Sequence, residues 1–277
     1  MGDVHLRGGR AGSSSGTTGM RVLAVRPARD VIAVLRRAGA GGAAEAHTDG
    51  YGCGCGCGYD MHPAERELVR GSSPARRREF AAGRAAAADA LRLLGRSGPV
   101  LREARRPRFP VGVRGSISHC RGAAATCLAT TRPDVSAVGV DVERVGRLSP
   151  ETAALVCTPP ERALLSDDHA GERLLTVMFS AKEAFYKAAG ALDLPREPVF
   201  HDLKVVPHPG RARRDASDPG SGIGTGNGLR LTPVPGLLPD GCVVRGQVRS
   251  VGPYVWTTVL LLRVGGAPVA SRTFRFA

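Results

Sequence analysis

Aromatic residues are scarce. Phe, Trp and Tyr together make up 4% of the 277 residues, with a single Trp. A core must then be built from Val, Leu and Ala, and a single-stranded nucleic acid would find few of the stacking platforms its recognition uses. No apolar run reaches the ~18 residues that suggest a membrane-spanning helix. The opening stretch MGDVHLRGGRAGSSSG has no apolar core of a secretory signal, so an intracellular, cytoplasmic protein is expected. No G-x-x-x-x-G-K-[ST] phosphate loop occurs, and GSGIGTGNG at 220–228 does not fit G-x-G-x-x-G, which argues against a dinucleotide site. Lysine is the rarest basic residue. Only Lys182, Lys187 and Lys204 stand among 39 Lys and Arg.

Positive charge is abundant. The net charge of +14 points to an anionic partner: nucleic acid, a phosphorylated small molecule or an acidic protein. Two of the three lysines fall within six residues, in KEAFYK. A compact ammonium is not interchangeable with a guanidinium, so a chain that otherwise writes Arg is expected to need Lys at 182 and 187. Of seven cysteines, Cys53, Cys55 and Cys57 form the run GCGCGCG. That alternation is not zinc-ligand spacing; it reads as low-complexity linker, with soft-metal binding as the alternative. Cys120, Cys127, Cys157 and Cys242 read as small buried residues of a reducing compartment.

Three regions follow from composition. Residues 1–60, rich in Gly, Ala, Ser and Arg, read as a largely flexible extension in which MRVLAVRPARDVIAVLRRAG forms a short strand and a helix. Residues 61–133 carry a helix over SSPARRREFAAGRAAAADALRLLG, with Ser73 as N-cap, Pro74 at the first helical position and Gly95 as the stop. Phe80, Ala87, Leu91 and Leu94 make its apolar stripe. Arg77 and Arg84 share a face and Arg76 lies at the N-terminal end: a solvated basic face, or a phosphate grip. GSISHCRGAAATCLA then reads as two strands turning near Arg121 and Gly122. RPD at 132–134 is the joint to residues 134–277. There SAVGVDVE is a strand, two short helices are split by Pro159 and Pro160, and GERLLTVMFSAKEAFYKAAG is a long helix ending at Gly190. Strand-like runs follow: HDLKVV, LRLTPV, CVVRGQV, YVWTTVLLLRV and SRTFRF. The class is α+β.

In SAVGVDVE, strand alternation puts Val138, Val140 and Val142 on one face and Gly139, Asp141 and Glu143 on the other. The two carboxylates project side by side, roughly 6–7 Å apart at Cα, and repel unless positive charge lies between them. Either the strand has a solvated polar face, or the pair serves a hard cation such as Mg²⁺, which favours carboxylates together with substrate phosphates. Glu183, beside two lysines on the long helix, is the natural third ligand. A rival explanation for Glu183 is an S-x-x-E capping box with Ser180 at a helix start.

VGVDVE followed some 40 residues later by FSAKEAFYKA, with HPAERELV, ARRREFAAGRAAAADAL and GSISHCRGAAATCLA upstream, resembles the 4'-phosphopantetheinyl transferases, in the monomeric branch typified by enterobactin synthetase component D. The resemblance implies two α/β halves related by a pseudo-twofold, each a long helix on a small antiparallel sheet, with coenzyme A in the cleft between them. It implies transfer of the phosphopantetheine arm of coenzyme A to a serine of an acyl or peptidyl carrier protein, with release of 3',5'-ADP, in siderophore, peptide or polyketide synthesis. Carried over by motif, Asp141, Glu143 and Glu183 hold Mg²⁺. Glu183 takes the serine proton, directly or through a metal-bound water. Lys187 stabilises the transferring phosphoryl group, and Lys182 and His119 contact phosphates. Arg76 and Arg84 grip the 3'-phosphate, and Arg102 matches a further basic position, with Phe109 where the family has Trp. An acidic carrier protein is the implied partner, with no nucleic acid and a monomeric enzyme. Two rivals remain: an Arg-rich nucleic-acid-binding protein, and a non-catalytic scaffold of the same fold.

Overall fold

The computed structural model describes residues 20–38, 59–120, 124–207 and 227–264. The GCGCGCG tract, the turn at 121–123, most of the 220–228 loop and the expected SRTFRF strand lie outside those residues. The chain divides into two compact units, with the division at Arg132 and Pro133.

The first unit holds a four-stranded antiparallel sheet, ordered β1 (Met20–Ala28), β2 (Val31–Ala38), β6 (Ala124–Thr130), β5 (Arg114–Cys120). The 31–38 segment is thus a strand where a helix was expected. Val31 to Leu35 are all buried because β2 is flanked by β1 and β6, and a run buried on both faces carries no alternation to tell strand from helix. Asp30, at φ +55, turns the hairpin. So part of the 1–60 segment supplies half of this sheet. After α1 (Pro63–Glu67), α2 (Pro74–Leu93) lies on β2, β5 and β6. The Ser73 side chain accepts from Arg76 N–H, and Gly95, at φ +68, closes the far end. Ala86, Ala87, Ala90 and Leu91 meet Ile32, Val34, Cys127 and Ala129 in the core. The basic stretch 101–108 is a small hairpin, β3 (Leu101–Glu103) against β4 (Arg106–Arg108), turning through Ala104 at φ +51.

The second unit holds a five-stranded antiparallel sheet in the order β7 (Val135–Arg144), β11 (Tyr254–Arg263), β10 (Cys242–Val251), β9 (Asn227–Pro233), β8 (Leu203–Pro207). Two short helices, α3 (Thr152–Val156) and α4 (Pro159–Arg162), precede α5 (His169–Ala189). Asp168 caps α5, accepting from Gly171 N–H at 3.0 Å. Ser180 therefore sits mid-helix, where its hydroxyl donates to Thr257 Oγ1 at 3.0 Å, and the capping-box alternative for Glu183 falls. Helix α5 packs on β7 and β11, burying Leu175, Met178, Ala181, Ala184, Phe185 and Ala188 against Val255, Val259 and Leu261. Each unit is thus one long helix on an antiparallel sheet.

Candidate active site

The strand pair of carboxylates lies under α5. A Cβ added to Gly139 would fall 1.7 Å from the Ala184 carbonyl oxygen and 3.0 Å from Ala188 N, so the helix backbone rests directly on the strand at that glycine. Asp141, two residues on, shares that face. It is buried, and Lys187 Nζ donates to its Oδ1 at 2.7 Å and to the Val140 carbonyl at 3.3 Å. Glu183 precedes Lys187 by one turn on the same side of the helix.

The electrostatics of this cluster are unbalanced. Burial, then the Asp141 carboxylate, push the Glu143 carboxyl up to about 7, with Glu183 adding to the push and Lys187 and Arg147 opposing it. Glu183 is also raised, first by burial and also by Asp141, against the pull of Lys187. Of the three carboxylates, Asp141 is the one that Lys187 bonds directly. Among the described residues no three Asp, Glu, His or Cys side chains are already drawn together as a cation cage. The donor set is nonetheless of the kind that suits Mg²⁺, since it is all carboxylate oxygen.

Lys182, expected to meet phosphate, is buried in an ion pair. It is 1% exposed, and its Nζ donates to Glu161 Oε2 at 2.7 Å and to the Val156 carbonyl at 2.8 Å. Glu161, equally buried, accepts from Val205 N–H at 2.7 Å on its other oxygen and from Thr158 N–H at 2.7 Å. Burial works to raise the Glu161 carboxyl, but the Lys182 hydrogen bond and the two backbone donors hold it below its ordinary value.

In the first unit, α2 and β5 bring Arg76 and His119 together. Arg76 Nη1 donates to His119 Nε2 at 3.0 Å. Glu79 lies 3.7 Å from Arg76 and 3.9 Å from His119 Nδ1. Arg102 is exposed on β3, paired with Pro107. Arg84, expected beside Arg76 at the 3'-phosphate, is buried. Its guanidinium is buried over the Phe80 ring, 4.1 Å from the centroid, with Nε 3.9 Å from Glu65 Oε1 and Nη2 donating to the Leu101 carbonyl at 3.3 Å. Burial lowers its pKa. Arg76 is the more exposed member of the expected pair.

Sequence reasoning passed over Glu161, Glu79 and the role of Gly139. For Glu161 a signal existed: T-P-P-E at 158–161 is a capping-box pattern.

Comparison with known proteins converges on the same segments. Residues 64–129 match the 4'-phosphopantetheinyl transferase N-terminal domain, and residues 137–214 match the 4'-phosphopantetheinyl transferase superfamily. The chain is 36% identical over 129 residues to 4'-phosphopantetheinyl transferase Npt of Nocardia iowensis, covering 46% of this chain and 58% of that protein. It is 36% identical over 135 residues to enterobactin synthase component D of Escherichia coli O157:H7, covering 47% and 62%. For 4'-phosphopantetheinyl transferase Svp of Streptomyces mobaraensis the figures are 38% over 136 residues, covering 46% and 54%. The chain thus spans less than two thirds of the length of these relatives. Among solved structures, holo-[acyl-carrier-protein] synthase of Thermotoga maritima aligns with 47% of this chain and 65% of its own at 19% identity and a TM-score of 0.32, a likeness too slight to bear on the fold.

Proposed function

The chain belongs to the 4'-phosphopantetheinyl transferase superfamily, and we propose that it moves the 4'-phosphopantetheine arm of coenzyme A to a serine of an apo acyl- or peptidyl-carrier protein, releasing 3',5'-ADP. The observation that carries this reading is the Lys187–Asp141 ion pair, with Glu143 and Glu183 within electrostatic reach of it, on a strand and helix inside the matched segment.

In the reaction the serine oxygen bonds to the phosphorus that bears the pantetheine arm. The bond from that phosphorus to the bridging oxygen breaks, and the bridging oxygen leaves with 3',5'-ADP. The serine proton needs an acceptor. Glu183, beside Lys187 on α5, is our candidate, directly or through a metal-bound water. Asp141, Glu143 and Glu183 would hold Mg²⁺, which when bound supplies the positive charge that a diphosphate and three carboxylates require together. Lys187, anchored at Asp141, offers an ammonium to the charge that develops on the phosphoryl oxygens. Arg76 and His119 take a phosphate of coenzyme A, with Arg102 as a further basic contact.

The net charge of +14 suits an acidic carrier protein as the second substrate. Siderophore or other secondary-metabolite synthesis is the setting we propose, with an enterobactin synthase component among the similar proteins. No described helix is long and apolar enough to cross a membrane, and we place the reaction in the cytoplasm, where coenzyme A is at hand.

The test of the centre is Asp141→Ala, read by titration calorimetry with Mg²⁺ and by transfer. Loss of a carboxylate ligand should weaken dication affinity by about tenfold or more and abolish most transfer, with the fold intact. Unchanged affinity and turnover in that variant contradict the assignment.

A further inference from the structure

We propose that Lys182 and Glu161 are positioning residues for this reaction: their buried ion pair sets the rotation of α5, and so the placement of Glu183 and Lys187 over β7. The inference rests on the transfer reaction proposed above and concerns residues that touch none of the reacting groups.

A buried ion pair is a poor device for stability alone, because desolvation of the two charges offsets their attraction and apolar side chains of similar volume do as well or better. Helix α5 already has an apolar seat in Leu175, Met178 and Phe185. Where it crosses β7, however, its contact is made by small residues. Gly139 lies against the backbone at Ala184 and Ala188. Such a contact permits close approach but offers few interlocking side chains to stop the helix from turning about its axis.

The ion pair adds a stop to those that the Ser180 and Lys187 hydrogen bonds provide. Lys182 Nζ is held between the Val156 carbonyl at the end of α3 and Glu161 on α4. Glu161 is held in turn by Val205 N–H on β8 and by Thr158 N–H. Three elements thus grip α5 at the residue next to Glu183. With a side-chain radius of about 6 Å, a turn of about 10° would carry the Glu183 carboxylate about 1 Å. A misplacement of that size in a reacting centre can cost on the order of a hundredfold in rate.

The test separates placement from stability. Lys182→Met strands a buried Glu161 and should lower the melting temperature by roughly 6–20 °C. Adding Glu161→Gln removes the stranded charge and keeps a carbonyl acceptor for Val205 N–H, so the double variant should regain at least half of that loss. Turnover should nevertheless stay down by about tenfold or more in the double variant, with KM for coenzyme A within about twofold of wild type, since only the transition-state geometry is affected. Turnover that recovers together with the melting temperature, or a Lys182→Met protein of full turnover, overturns the positioning role. A wild-type protein with no transfer at all fails the reaction itself, and the two failures are distinct.

Discussion

Gly139→Ala is the sharpest perturbation available at the junction of strand and helix. The new methyl would stand 1.7 Å from the Ala184 carbonyl oxygen and 2.8 Å from its carbon, whereas real Cβ contacts essentially never fall below 3.0 Å. Backbone cannot rotate aside as a flexible side chain can, so α5 must recede from β7 by about 1.3 Å or more. The same movement would carry Lys187 Nζ from 2.7 Å to about 4 Å from Asp141 Oδ1, beyond hydrogen-bond range. Overpacking of this kind costs about 1–3 kcal/mol, which should lower the melting temperature by roughly 2–12 °C. Circular dichroism melts and a transfer assay on one preparation read both effects, and turnover should fall further than stability alone explains. Gly71→Ala is the control, because a Cβ there meets nothing within 4 Å. A Gly139→Ala protein with a wild-type melting temperature and full turnover would refute the claim that the helix rests on the strand and thereby sets the site.

Arg84→Ala should cost about 3–5 kcal/mol of stability, since it leaves the buried Glu65 without its cation. It should change the affinities for coenzyme A and for dephospho-coenzyme A in the same proportion; selective loss for coenzyme A would return Arg84 to the 3'-phosphate. Acid should destabilise the second unit through Glu161 and Asp202. Both carboxyls are held low in the folded state, Asp202 first by its hydrogen bond from Arg196. Their contribution is complete above their ordinary values of 4.5 and 3.8 and is lost as pH falls through the lower folded values. Melts of wild type and Asp202→Asn between pH 6 and 3 should converge toward the acid end, and a gap that widens there contradicts the sign.

Helices α2 and α5 were legible because their caps and apolar spacing agree: Ser73 and Pro74 open one, and Leu174, Met178 and Phe185 mark a face of the other. The alternation of SAVGVDVE was equally plain, as was the oddity of two lysines flanking Glu183. The direction in which long basic side chains turn was less plain, although spacing held a clue for both Arg84 and Lys182. Arg84 falls between Phe80 and Ala87 on the apolar stripe of α2, and Lys182 falls between Met178 and Phe185 on that of α5. A charge on an apolar stripe needs a buried partner. Those partners, Glu65 and Glu161, lie 19 and 21 residues upstream in separate short helices, and helical spacing does not reach that far. The 31–38 strand was hidden for a different reason. Its pairing partner β6 begins near residue 124, and a local apolar run gives no sign of a neighbour so distant in the chain.

The most direct test of the account is intact-protein mass spectrometry of an acidic apo-carrier protein incubated with this protein, coenzyme A and Mg²⁺. The account predicts a mass gain of one phosphopantetheine arm on the carrier, no gain when the acceptor serine is replaced by alanine, and no gain in excess chelator. A carrier that stays unmodified with every component present, across carriers from siderophore, peptide and polyketide synthases, would contradict it.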